Sequence, residues 1–202
     1  MIAWITIWII LWATVMGLPN YLYKKYKITY YQNWWQHTLF FISFLAILFV
    51  VYQNQYSVYF NNFSSNNLLI ILGLFLLYFF IPATYKNTVY SKKEILGYQL
   101  PKFFEILFQQ LCFLGGLLTF GVSPITFGIL FFIVHIPVIF LLPKKFAIFP
   151  ITASLLGGLI FAHLQSYGIY GFLISFSIHL LFWLVFHYLL IKNFLGITPL
   201  KR

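Results

Sequence analysis

Seven apolar runs, separated by loops that are alternately charged and uncharged, constrain this chain more than any other feature. The runs are Ile2–Leu18, His37–Tyr52, Leu68–Ala83, Phe103–Phe120, Ile125–Leu142, Phe146–Tyr167 and Tyr170–Leu190. A helix crosses a bilayer with about 20 mostly apolar residues and with no fewer than about 17. Five runs qualify and two, His37–Tyr52 and Leu68–Ala83, come close, so all seven read as spanning helices, and the fourth is expected to begin earlier, near Glu94, with Pro101 in its first turns. The loop after the first run holds Lys24, Lys25 and Lys27, whereas "QNQYSVYFNNFSSNN" holds no charge. The next loop holds Lys86, Lys92, Lys93, Glu94 and Lys102, and "GVSP" again holds none. "PKK" supplies Lys144 and Lys145, "SYG" supplies nothing, and the tail ends with Lys192, Lys201 and Arg202. All 12 basic residues thus fall on one side of the ladder. Because Lys and Arg in short loops stay cytoplasmic, the pattern predicts an all-α, polytopic transmembrane bundle of about seven spans, N-terminus out and C-terminus in. The first run has its positive charges after it, as in an N-out anchor; a cleaved signal peptide carries them ahead.

Composition agrees with this reading. At 62% hydrophobic and 7% charged, the chain has too little polar surface to cover a water-facing domain. Aromatic residues at 23% suit lipid-facing helices with interfacial anchors. The net charge of +10 is spread over short loops, so its expected partner is the bilayer surface and no nucleic acid. The single cysteine, Cys112, excludes an intrachain disulfide and offers no metal pattern. Lys dominates the basic residues, with abundant Asn, Ile, Phe and Tyr; this points to an AT-rich bacterial genome and hence to a bacterial cytoplasmic membrane. No linker or repeat divides residues 1–202, which read as one membrane domain.

The chain has two acidic residues, and one of them, Glu105, sits inside an apolar run. A carboxyl group at membrane depth costs roughly 2.5–3.5 kcal/mol on insertion scales, so it turns inward toward a partner. His135, His163, His179 and His187 stand on other runs. Counted from the nearest cytoplasmic Lys at about 1.5 Å per residue, Glu105 lies roughly 5 Å deep, His187 roughly 8 Å, His135 roughly 12 Å and His179 roughly 20 Å. Glu105 is therefore expected to meet His135 and a histidine of the last run, with His163 left apart near the outer end. Gln109 stands four residues on, on the same helix face. A lone membrane His or Gln usually only bonds neighbouring helices, which is the expected role of His37, His163 and His187. The glycines of Leu114–Gly116 and Leu155–Leu159 mark close helix packing.

Taken in order, "FEILFQ" (Phe104–Gln109), "FFIVH" with Phe131 and His135, and "HLLFW" with His179 and Trp183 resemble the three motifs of the CPBP intramembrane proteases. That family comprises CAAX prenyl proteases of the Ras-converting type and bacterial proteins grouped in bacteriocin self-immunity. Its motifs are Glu-Glu-x-x-x-Arg, Phe-x-x-x-His and His-x-x-x-Asn, on three helices, and the similarity covers roughly residues 94–190. The resemblance implies a water activated by the first Glu and the second-motif His, an oxyanion held by the third-motif His and Asn, and a structural role for the second Glu and the Arg. Here Phe104 stands at the first Glu, Gln109 at the Arg and Trp183 at the Asn, while Glu105, His135 and His179 remain.

The implied set is thus Glu105, His135 and His179 as catalytic groups, with Gln109, Trp183, Phe131 and Phe104 around them. Chemically, a buried Glu105 paired with His135 suits a base for water, and His179 with the Trp183 indole N–H suits a donor pair for an oxyanion. The expected activity is hydrolysis of a peptide bond in a membrane peptide or protein substrate, without cofactor or metal. The alternatives are a catalytically inactive relative that binds or shields a membrane partner, a haem protein using His179 or His187 with a histidine on the fifth run, and a small-molecule transporter. The haem reading leaves Glu105 unexplained, and no broken helix or inverted repeat supports a transporter.

Overall fold

The structure, a computed structural model, describes residues 33–84, 92–136 and 144–185, together with residues 6, 9, 10, 13, 14, 17, 18, 21, 22, 25 and 26. The expected first span meets only those scattered positions, and His187 with the ends of the fifth and seventh spans lies outside the described residues. Among the described residues the chain is all-helical. In order the helices are α1 (Trp34–Val51), α2 (Gln53–Tyr59), α3 (Ser65–Thr84), α4 (Lys92–Phe120), α5 (Pro124–His135), α6 (Lys144–Gln165) and α7 (Ile169–Val185).

Helix α4 is the axis of the bundle, and each of the other six packs against it. It runs for 29 residues with Pro101 in its interior, starting close to the expected Glu94. Gly121, at φ 63°, ends it in the left-handed conformation that a side chain disfavours. Ser123 then caps α5: its hydroxyl oxygen accepts from the Thr126 N–H at 3.2 Å, and Pro124 takes the first helical position.

Helix α1 turns one stripe to α4: His37, Thr38, Phe41, Leu45 and Leu48 are buried, at the spacing of three and four that a helix face requires. The stripe continues through Tyr52 and Tyr56 into α2, which the uncharged-loop reading did not anticipate. Tyr52 lies over Gly115, where an added Cβ would come within 2.6 Å of its ring. The Tyr56 hydroxyl donates to the Leu111 carbonyl at 2.6 Å. Tyr59 donates to the carbonyls of Gln165 and Gly168, fastening α2 to the α6–α7 turn. Helices α5 and α6 meet backbone to backbone at Gly128 and Gly158.

Two described helical segments, Trp34–Val51 and Leu96–Phe120, are long and apolar enough to cross a membrane, and four shorter apolar segments accompany them. Along α3, the side chains of Leu68, Leu69, Leu72, Leu76, Leu77 and Phe80 are all exposed.

Candidate functional site

The polar residues that an apolar bundle must accommodate gather on α4 and α7. On α4, Lys102, Glu105 and Gln109 follow at three and four residues and share a face. The Lys102 ammonium donates to Glu105 Oε2 at 2.7 Å, and Gln109 Nε2 donates to Oε1 at 3.2 Å. Both carboxylate oxygens are therefore engaged by their own helix. The ion pair is buried, at 8% and 5% side-chain exposure. Lys102 lies within α4, as a helix beginning near Glu94 implies, although its charge was counted with those of the loop. It also supplies the partner that the sequence reading sought on other helices. His37 of α1 stands within electrostatic reach of both members of the pair.

Lys102 connects the pair to α7, because its ammonium lies 4.3 Å from the centre of the Trp183 ring, the position from which a cation is drawn to an aromatic face. The Trp183 indole N–H in turn donates to His179 Nε2 at 3.2 Å. The two groups expected to serve together as oxyanion donors are thus bonded to each other. Phe161 of α6 stacks on the His179 imidazole, ring centres 5.4 Å apart.

A network unforeseen in the sequence lies on the other side of His179. Gln110 Nε2 lies 2.9 Å from His179 Nδ1, and Gln165 Nε2 donates to Gln110 Oε1 at 2.7 Å. Ser175 Oγ accepts from Gln165 Nε2 at 3.2 Å, and its hydroxyl lies within donating distance of Gln110 Oε1, at 3.1 Å, and of the Phe172 carbonyl, at 2.9 Å. Gln110, Gln165, Ser175 and His179 are all buried. The α7 part of the network left a signal in the sequence, Ser175, His179 and Trp183 at intervals of four on one stripe, whereas Gln110 and Gln165 left none.

His135 stands within electrostatic reach of His179. Its ring N–H at Nδ1 donates to the Phe131 carbonyl at 2.8 Å, one turn back. Phe131 is buried, its ring 4.8 Å from that of Phe113. Phe104 fills apolar space, its ring 5.6 Å from that of Phe103. His163 stands apart and exposed, within 3.2 Å of the Tyr167 hydroxyl. Among the described residues no three His, Cys, Asp or Glu side chains gather as a metal site would need.

No protein-family model matches the chain, and neither a curated protein nor a solved structure matches it.

Proposed function

We propose that the chain is a multi-pass protein of the bacterial cytoplasmic membrane, with about seven spans, N-out and C-in, and that it is a divergent, non-hydrolytic relative of the CPBP proteins that binds or shields a membrane peptide or protein. The observation that carries this reading is the Lys102–Glu105 pair. In the motif that the chain resembles, the second Glu and a cation four residues on are structural, while the first Glu activates water. Here the second Glu is Glu105, and Lys102 supplies a cation three residues before it, on the same face. Phe104 occupies the place of the activating acid. The structural Glu thus keeps a cation on its own face, while the acid that would activate water is replaced by Phe104.

Both oxygens of the Glu105 carboxylate accept from side chains of its own helix, Lys102 and Gln109, which supports a structural role for the acid. Membrane residence is supported by the exposed apolar face of α3 and by the two long apolar segments.

A second reading is supported by the packing of the helices that carry His135 and His179 against α4, which carries Glu105: hydrolysis of a peptide bond by water activated between Glu105 and His135. One experiment separates the two. Purified protein in lipid vesicles is incubated with a library of membrane-inserted fluorogenic peptides, and wild type is compared with Glu105→Gln. The non-hydrolytic reading expects no cleavage above vesicles alone from either. Cleavage by wild type that Glu105→Gln abolishes would replace it with the peptidase reading, because Gln keeps the shape of Glu but cannot take up a proton at neutral pH.

A further inference from the structure

Two aromatic side chains at the ends of α1 lie over two glycines of α4. A Cβ built on Gly97 would stand 2.8 Å from Trp34 Cδ1, and one built on Gly115 would stand 2.6 Å from Tyr52 Cδ2. Trp34 and Tyr52 are 18 residues apart, and so are Gly97 and Gly115. That spacing is about five helical turns, so α1 and α4 run parallel and meet on one face at both ends of α1. Between the two contacts Phe44 meets Phe108, ring centres 6.2 Å apart.

The two glycines differ in what their carbonyls receive. Pro101 stands inside α4. Proline has no N–H to give to the carbonyl four residues back, and its ring crowds that carbonyl. The carbonyl belongs to Gly97. The residue type with the most backbone freedom thus sits where the helix lacks a bond, and sharp bends in helices concentrate at such places. Four residues after Gly115 stands Thr119, whose hydroxyl donates to the Gly115 carbonyl at 2.7 Å. One carbonyl has lost a donor and the other has gained one.

We infer that Gly97 and Pro101 form a hinge in α4 and that Trp34 is the strap that holds it closed. Trp34 is the first residue of α1, so it can leave Gly97 without unwinding a turn of its own helix. Tyr52 and Tyr56 meanwhile keep the chain on the other half of α4, through Gly115 and the Leu111 carbonyl. Lys102 follows the hinge directly and meets the Trp183 ring at 4.3 Å. The closed strap therefore fixes the angle at which the Lys102–Glu105 pair faces α7. The hinge is a property of α1 and α4 and does not depend on what the site binds.

The test is hydrogen–deuterium exchange of the full chain in lipid vesicles, resolved along α4 by peptide mass spectrometry. Trp34→Ala should speed exchange over residues 93–100 by at least roughly tenfold, since truncating a packed Trp costs well over that factor, and leave residues 103–117 unchanged. Gly97→Ala, which displaces the ring without removing it, should do the same. Pro101→Ala returns the missing N–H, so adding it to Trp34→Ala should bring residues 93–100 back near the wild-type rate. A merely structural contact would raise exchange evenly along α4 and gain nothing from Pro101→Ala, and either result overturns the inference. Unchanged exchange over residues 93–100 in Trp34→Ala also overturns it, as does the same result in Gly97→Ala where Trp34→Ala fails to fold.

Discussion

Lys102 and Glu105 form a buried ion pair one helical turn apart on α4, with 2.7 Å between ammonium and carboxylate. The pair answers how an acid is kept inside an apolar bundle. Its cation comes from the same helix, so pairing is in place before any tertiary contact forms. Trp183 covers the ammonium from α7, so the pair also ties α4 to the C-terminal helix.

Removing one partner of a buried pair leaves an uncompensated charge, which typically costs about 3–5 kcal/mol. Lys102→Met is expected to destabilise the protein by about that amount, while the double variant Lys102→Met with Glu105→Leu recovers most of the loss. Thermal unfolding in detergent micelles measures both. A Lys102→Met variant as stable as wild type would mean that the pair contributes nothing to the fold.

The orientation proposed from the charge ladder is open to direct measurement. Reporter fusions at Asn62, between α2 and α3, and at Lys145, at the start of α6, should report opposite sides of the membrane, Asn62 outside. The same side from both would show that the number of spans between them is even.

Glycine spacing supplies a contrast between two sites. A Cβ on Gly128 would stand 2.8 Å from the Leu159 backbone nitrogen and 2.9 Å from the Gly158 carbonyl group, and backbone cannot move aside as a flexible side chain can. Gly128→Ala is therefore expected to force α5 and α6 apart, at a cost of about 3 kcal/mol. Gly73, in the interior of α3, has nothing within 4 Å of its added Cβ, so Gly73→Ala should be neutral or stabilise by up to about 1 kcal/mol. Equal losses at both positions, read as unfolding midpoints, would refute the packing argument.

Much of this was legible in the sequence where a single helix decides it. The second run was expected over His37–Tyr52 and is found as Trp34–Val51; the sixth, over Phe146–Tyr167, is found as Lys144–Gln165. The Glu105–Gln109 bond follows from four-residue spacing alone. Lys102 obeys the same rule at three residues, but counting it as loop charge concealed it. Helix α2 was hidden because Gln53, Asn54, Gln55 and Ser57 mask an aromatic at every fourth place, Tyr52, Tyr56 and Phe60, whose rings do pack together. The Gln110–Gln165–His179 network could not have been read from any one segment, since it depends on how α4, α6 and α7 are rotated about their axes.

The proposed kinship with the CPBP proteins makes a gain-of-function experiment specific. Phe104→Glu restores an acid beside Glu105, in apolar space that makes a new carboxyl cost roughly 2.5–3.5 kcal/mol. Alone it is expected to give a less stable protein that cleaves nothing, because His179 Nε2 is still held by the Trp183 N–H and cannot contribute a donor to an oxyanion. Adding Trp183→Asn removes that hold, releases the ring beneath Lys102, and provides an amide donor one turn from His179. Peptide cleavage in the vesicle assay is therefore expected only when both substitutions are present. Cleavage by Phe104→Glu alone would show that the Trp183–His179 bond does not restrain the site.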